Sequence, residues 1–369
     1  MSKTQLIFLL AISLILLIAI TGCERKVTDR ITEAVEAPEF IGSDACQSCH
    51  SDIYANFIKS GHPYKLNKVS GAAPTYPYSS VPNPPSGYTW DDITYVIGGY
   101  GWKARFIGTD GYIITAGGNN QYNLVDGSWS DYHKDEVKPY NCGSCHTTGF
   151  DSDSTKHQDN LPGIIGSWAF PGIQCEACHG PGSLHADAPL QVQMKIDRSA
   201  ASCGECHIRG DVGKIPASGN FIRHHEQYNE LMSTTMASLR CVDCHDPHIS
   251  TRYTPDEAIV LECESCHWDE EVALENSELP HYNNGIECTD CHMPDADKSA
   301  LAAGTYEGDL PSHLFAINTD STAEMIYSEG GSDWANPYLT LEYTCLKSGC
   351  HSSETKGWAA RHADEVHGD

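Results

Sequence analysis

Three hydrophobic patterns alternate along the chain. Leu6 to Ile20 is a run of 15 apolar or small residues, broken only by Ser13 and preceded by Lys3. That length suits the apolar region of an export signal and falls short of the ~20 residues needed to span a membrane. Glu24 to Phe40 is charged, poor in aromatics, and reads as a tether. Tyr76 to Pro85 is rich in Pro and Ser and reads as loop. Ile93-Thr-Tyr-Val-Ile, Trp102-Lys-Ala-Arg-Phe-Ile and Tyr112-Ile-Ile-Thr follow, divided by Gly98-Gly99 and by Gly108-Thr-Asp-Gly111. Such β-branched and aromatic runs predict strands and hairpins of a small antiparallel module. Gly98-Gly-Tyr-Gly is no phosphate loop, because it lacks the strand-to-helix context and a lysine. Elsewhere the pattern supports short helices, such as Ser51–Lys59, joined by loops. The predicted fold is mostly α with much irregular loop and little sheet outside that module.

The apolar run closes with Ile20-Thr21-Gly22-Cys23. This resembles the bacterial lipoprotein signal, in which small residues precede a cysteine that is lipidated and becomes the mature N-terminus. The other reading is an uncleaved helical anchor, and both export the rest of the chain. Glu24 is not the Asp associated with inner-membrane retention, which favours the outer membrane or cell surface. Lipid chains would supply membrane affinity without a spanning helix.

Composition narrows the class. The 369 residues allow two or three domains. With 40% apolar and 20% charged residues the chain is globular by composition. A net charge of −27 argues against nucleic acid, which needs a basic footprint. The unusual counts are 17 Cys and 19 His.

An exported, Cys-rich chain first suggests disulfides, and the spacing argues otherwise. Cys46-x-x-Cys49-His50, Cys142-x-x-Cys145-His146 and Cys175-x-x-Cys178-His179 repeat one pattern. Cys203-x-x-Cys206-His207, Cys241-x-x-Cys244-His245, Cys263-x-x-Cys266-His267 and Cys288-x-x-Cys291-His292 continue it. These are seven copies of the attachment motif for c-type haem. Each Cys forms a thioether to a vinyl group, and the following His becomes the proximal iron ligand. Thioredoxin-like dithiols or zinc half-sites have no reason to place His after every second Cys. Cys345-Leu-Lys-Ser-Gly-Cys350-His351 is an eighth motif with four spacer residues. The alternative for it is a disulfide or bare dithiol. Eight pairs use sixteen Cys, and Cys23 is the seventeenth.

Eleven His remain for the sixth coordination positions, more than eight irons need. Complete coordination favours electron transfer over chemistry at iron. The distal candidates are His62, His185, His224, His225, His248, His281, His313 and His362. His367 lies in the last three residues, where chains fray. His133 and His157 sit in polar, loop-like stretches and are expected to face solvent. Met232 and Met236 could ligate, although filling gaps in a core suits them better.

The run Ile41-Gly-Ser-Asp-Ala-Cys-Gln-Ser-Cys-His, with Tyr54, Phe57, Ser60 and His62 after it, looks like the opening of many multihaem cytochromes c. Gln174-Cys-Glu-Ala-Cys-His-Gly-Pro-Gly-Ser-Leu-His185 and Cys241-Val-Asp-Cys-His-Asp-Pro-His248 are similar to them too. The chain resembles the superfamily that contains the tetrahaem cytochrome of hydroxylamine oxidation, octahaem reductases and cytochromes of metal-reducing bacteria. The resemblance implies a bis-His electron carrier or, less often, a reductase. The nitrite-reductase branch carries a C-x-x-C-K motif that is absent here.

The expected organisation is a signal peptide at 1–22, a lipidated tether at 23–40 and a first-haem segment with β insert at 41–140. A dense six-haem core at 141–300 and an eighth-haem segment at 301–369 follow. The leading functional expectation is an exported, lipid-anchored electron carrier linking a membrane or periplasmic donor to an outside acceptor. The alternatives are a reductase or oxidase of small nitrogen or sulfur compounds with one open haem, and a subunit of a haem-chain filament or homo-oligomer. The negative charge calls for redox partners with basic docking patches. Intact mass of the exported protein should equal the chain from Cys23 plus lipid and eight haems. Cys23→Ala should release it from membranes or block maturation, and unchanged membrane association would favour the uncleaved anchor.

Overall fold

The computed structural model describes residues 37–366 except Glu278. The apolar run, Cys23 and His367 therefore lie outside the described residues. Among the described residues no helix is long and apolar enough to cross a membrane.

Helices are short because each cysteine motif needs only one turn. In C-x-x-C-H the first Cys and the His stand four residues apart, on one face of a helical turn. The turn closes by the His N–H donating to the first Cys carbonyl: His50 to Cys46 at 3.0 Å, His207 to Cys203, His245 to Cys241 and His267 to Cys263 at 2.9 Å. In the eighth motif the extra residues loop out, and His351 N–H still reaches the Cys345 carbonyl at 3.0 Å. The helices in chain order are α1 (Ser43–Cys46), α2 (Ser51–Phe57), α3 (Gly143–His146), α4 (Cys175–His179), α5 (Ser183–Asp187) and α6 (Ala200–Gly204). They continue with α7 (Gln227–Met232), α8 (Cys241–Cys244), α9 (Pro255–Ala258), α10 (Trp268–Asn276), α11 (Cys288–His292) and α12 (Lys356–His362). Motif six sits on a 3-10 turn, Cys263–Ser265.

The module between the first two motifs is a seven-stranded antiparallel sheet. Its strands are β1 (Leu66–Lys68), β2 (Ile93–Gly98), β3 (Lys103–Gly108), β4 (Tyr112–Ile113), β5 (Gln121–Asn123), β6 (Trp129–Ser130) and β7 (Lys138–Pro139). The order is β1-β2-β3-β4-β7, with β5 and β6 branching from β3. Tyr95 faces Ile107, and Val96 faces Phe106. Both faces are covered. Val96, Ala104, Phe106 and Ile114 pack with Tyr76, Val81 and Tyr100 on one side. Leu66, Tyr95, Ile107 and Ile113 pack with Tyr140, Ile164 and Trp168 on the other. Gly99, at φ +93°, turns the chain out of β2, and a Cβ there would stand 2.2 Å from the Tyr76 hydroxyl.

A second sheet exceeds the sequence expectation. β8 (Thr147–Thr148) pairs with β9 (Phe170–Pro171). Then β10 (Ile215–Ser218), β11 (Phe221–Ile222), β13 (Ile326–Glu329) and β14 (Ser332–Ala335) form a four-stranded sheet in the order β11-β10-β14-β13. β12 (Ile317–Asn318) pairs in parallel with β15 (Leu339–Thr340). Helix makes up 24% and strand 18% of the described residues, so the expectation of a mostly helical protein holds only in part. The physical reason is that the 215–222 and 326–335 hairpins bury Ile215, Ile222, Met325 and Ala335 on a third core with Leu314 and Leu339.

Glu176, inside the third motif, is a buried structural clasp. Its carboxylate accepts the backbone N–H of Ile41 at 2.9 Å, of Gly42 at 2.7 Å and of Gly182 at 2.7 Å. This joins the first motif's entry to the third motif's helix and to the turn before α5. Glu176→Ala strands three buried donors. It should destabilise the protein by about 2–4 kcal/mol, seen as a lower denaturation midpoint and faster proteolysis near residue 41.

Candidate haem-binding sites

Rings from distant parts of the chain meet in pairs. His50 and His185 have centroids 6.4 Å apart, and so do His179 and His248. His245 and His313 are 6.1 Å apart, and His281 and His351 are 5.9 Å apart. Each pair joins one proximal and one distal candidate. Two imidazoles bound to one metal, with metal–nitrogen bonds of about 2 Å, bring their centroids to roughly this separation. Among the described residues no three His, Cys, Asp or Glu side chains converge as a bare ion would require. The donor set therefore fits an iron held by two imidazoles and a covalently bound macrocycle. The Nδ1 atoms of His245, His281 and His313 are buried without a hydrogen-bond partner among the described residues.

Other rings are oriented through Nδ1. His146 donates to the Lys65 carbonyl at 3.0 Å, His179 to that of Lys195 at 2.8 Å, His185 to that of Val192 at 2.7 Å and His292 to that of Phe315 at 2.6 Å. His207 donates to Gln227 Oε1 at 3.2 Å, and His248 to Asp246 Oδ1 at 2.8 Å. Such bonds fix the tautomer, aim Nε2 away from the backbone and strengthen the imidazole as a ligand.

His62 and His225 stand within electrostatic reach of His207 and His146 respectively. Burial is the main cause that pushes His62, His225 and His313 each down to about 3, so these rings are neutral and able to ligate. His224 and His225 lie 4.1 Å apart, centroid to centroid. Burial and then Lys103 push His224 far down as well. His362 packs on Trp358, whose other neighbour is His351, and its Nδ1 bonds Glu365. Thus the structure sets His362 beside motif eight but does not bring its ring against a proximal ring among the described residues. His267 is exposed.

Two expectations about spare histidines come out differently. His133 is exposed and pairs with Glu136 at 2.8 Å, as a solvent-facing residue would. His157 is half-buried and donates to the Ile164 carbonyl at 2.6 Å, so it is part of the packing. The bridge from His157 to Gly166 pulls this loop inward.

All sixteen described cysteines are free. Neighbouring motifs stand within electrostatic reach of one another. Cys46 reaches Cys175, which relates motif one to motif three. Cys178 reaches Cys203, and Cys203 reaches Cys241. Cys244 reaches Cys263, Cys263 reaches Cys288, and Cys291 reaches Cys345. Motif two joins as a branch, through Cys145 and Cys206. Every motif therefore has a neighbouring motif.

Sequence reasoning missed the charged residues around motif two. Lys65, Arg105 and Lys103 all bear on His146, whose ring burial and these cations push down to about 4. Lys103 is half-buried, desolvation pushes its ammonium well down, and it donates to the Ser299 carbonyl. The Arg105 guanidinium lies 3.4 Å from the Tyr132 ring centroid and donates to Gln121. Arg209 pairs at 2.6 Å with fully buried Glu226, which also accepts the His225 N–H at 2.6 Å. Near His313 two buried acids meet. Burial pushes Glu230 up to about 7 and Asp297 well up, and the His313 N–H donates to Glu230 at 2.5 Å.

The family model for cytochrome c554 and c-prime matches residues 119–180, which include motifs two and three. The multiheme cytochrome MtrA of Shewanella baltica (strain OS185) is 26% identical over 168 residues, 42% of this chain and 45% of the relative. The match thus spans less than half the length of that curated relative. The crystal structure of the outer cell wall cytochrome OcwA superposes with TM-score 0.58 at 19% identity, covering 88% of this chain and 86% of that one. The octaheme sulfite reductase MccA of Wolinella succinogenes superposes with TM-score 0.57 at 16% identity, covering 84% and 65%. The resemblance to multihaem c-type cytochromes holds in motif, sequence and fold.

His185→Ala should convert one low-spin iron to high-spin. Electron paramagnetic resonance reads the new signal, and carbon monoxide should bind the variant. An unchanged spectrum would show that His185 is not a ligand.

Proposed function

We propose that this chain is an exported, lipid-anchored octahaem cytochrome c. It carries electrons between a membrane or periplasmic donor and an extracytoplasmic acceptor. The observation that carries this reading is the meeting of a proximal and a distant histidine ring, with centroids 5.9–6.4 Å apart, at four of the eight motifs. When bound, each haem supplies a one-electron ferric/ferrous couple. The chain holds, orients and insulates. The sixteen motif cysteines fix the eight groups, and the His after each pair is the proximal ligand. His185, His248, His313 and His281 take the distal side of motifs one, three, five and eight. His62 and one of His224 and His225 serve motifs four and two. Carbonyl acceptors at Nδ1 hold the rings in one tautomer, and strand and loop backbone fill the space between motifs. Cys23 anchors the protein to a membrane, with the outer membrane favoured.

A second reading has its own observation. Lys65, Lys103, Arg105 and Arg209 gather near motif two in a chain of net charge −27. Such a cationic lining suits a small anion, so motif two is where a reductase site would lie.

The purified, fully loaded protein separates the two. The carrier reading expects low-spin iron throughout, no response to carbon monoxide and a broad reversible redox titration of overlapping steps. A large high-spin fraction with rapid turnover of nitrite, hydroxylamine or tetrathionate, slowed by Lys103→Met, would establish the reductase instead.

A further inference from the structure

The charge of the chain is not evenly spread. Between Arg252 and Lys298 there is no lysine or arginine and there are thirteen Asp and Glu. This stretch carries motifs six and seven. Motif six is also the outermost among the described residues. Cys263, Cys266 and His267 are all exposed, and every other motif has at least one of its three residues partly buried. Its neighbours along the chain include exposed apolar side chains. Trp268 is 66% exposed, Val260 55%, Val272 45% and Leu261 40%. Helix α10, which follows directly, buries only Leu274. Soluble proteins rarely leave apolar groups clustered in solvent without a use for them.

We infer that the face around motif six is the port through which this protein exchanges electrons with a redox protein bearing a lysine- or arginine-rich face. The inference rests on the electron-carrier reading and adds where the partner binds. A port needs three things, and they coincide here. The attachment point must lie at the surface so that a bound haem edge can be approached. A desolvatable apolar centre must give contact, which Trp268, Val260 and Leu261 supply. A rim of one sign must steer the partner, which Glu262, Asp269 and Glu275, all exposed, supply. Motif two is the opposite case, with Lys65, Lys103 and Arg105 close to its histidine. A basic partner is repelled there and drawn to motif six. The two charge poles therefore separate the docking end of the haem chain from the end suited to anions.

The test uses the fully loaded, reduced protein and mitochondrial cytochrome c as a lysine-rich redox probe, with rates read by stopped flow. Charges are reversed in Glu262→Lys/Asp269→Lys/Glu275→Lys. A control reverses three exposed acids elsewhere, Asp126→Lys/Asp153→Lys/Asp320→Lys. Haem content and optical spectra certify both variants. The port variant should lose about tenfold or more in second-order rate at low ionic strength. The loss should vanish at high salt, where exposed charges are screened. The control should stay within about twofold of the parent. Equal losses in both variants, or none in the port variant, would overturn the assignment. Reduction by dithionite and reoxidation by a neutral small acceptor report electron carriage itself. If those fail in the parent, the carrier reading fails; if they succeed while the port variant is normal, only the port fails.

Discussion

Two imidazoles held about 6 Å apart, brought together from distant parts of the chain, are the arrangement on which the rest of this structure depends. Side chains alone would not keep it. Four such pairs are built from histidines far apart in the chain. A metal ligated by both rings would turn each into a cross-link, much as a disulfide would. This is why helices can be one or two turns long and why loops make up so much of the fold. The fold is fastened at its cofactor sites, so its apolar cores can be small and set to the sides.

Those cores occur where motifs are sparse. The first sheet fills the long interval between motifs one and two, and the second joins residues 215–222 to 326–335. Electrostatics follows the same division. Cations gather inside, near motif two, while carboxylates crowd the exposed stretch around motifs six and seven. Added electrons are favoured near positive charge and disfavoured near negative charge. The protein therefore shapes the potentials of its cofactors with fixed charges as well as with axial ligands.

Much of this was legible in the sequence. The spacing of Cys46, Cys49 and His50, repeated down the chain, specifies attachment chemistry without knowledge of the fold. The strands at Ile93–Gly98 and Lys103–Gly108 were visible in their β-branched and aromatic runs. The 326–335 hairpin was not read, although Gly330-Gly331 between alternating residues is a hairpin signal. Ring pairing was illegible for a different reason: nothing local to His50 points to His185. His157 looked like a surface residue because its neighbours are polar, but its ring is drawn in by one carbonyl. Lys103 and Arg105 read as strand residues, because alternation shows where a side chain sits and not which motif lies beside it.

The most direct test of the account is a structure of the haem-loaded protein in which every iron is assigned to its motif. The account predicts one connected succession, one-three-four-five-six-seven-eight with two branching from four, and neighbouring macrocycles in contact. A gap anywhere in that order, or irons of adjacent motifs separated by packed polypeptide, would contradict it.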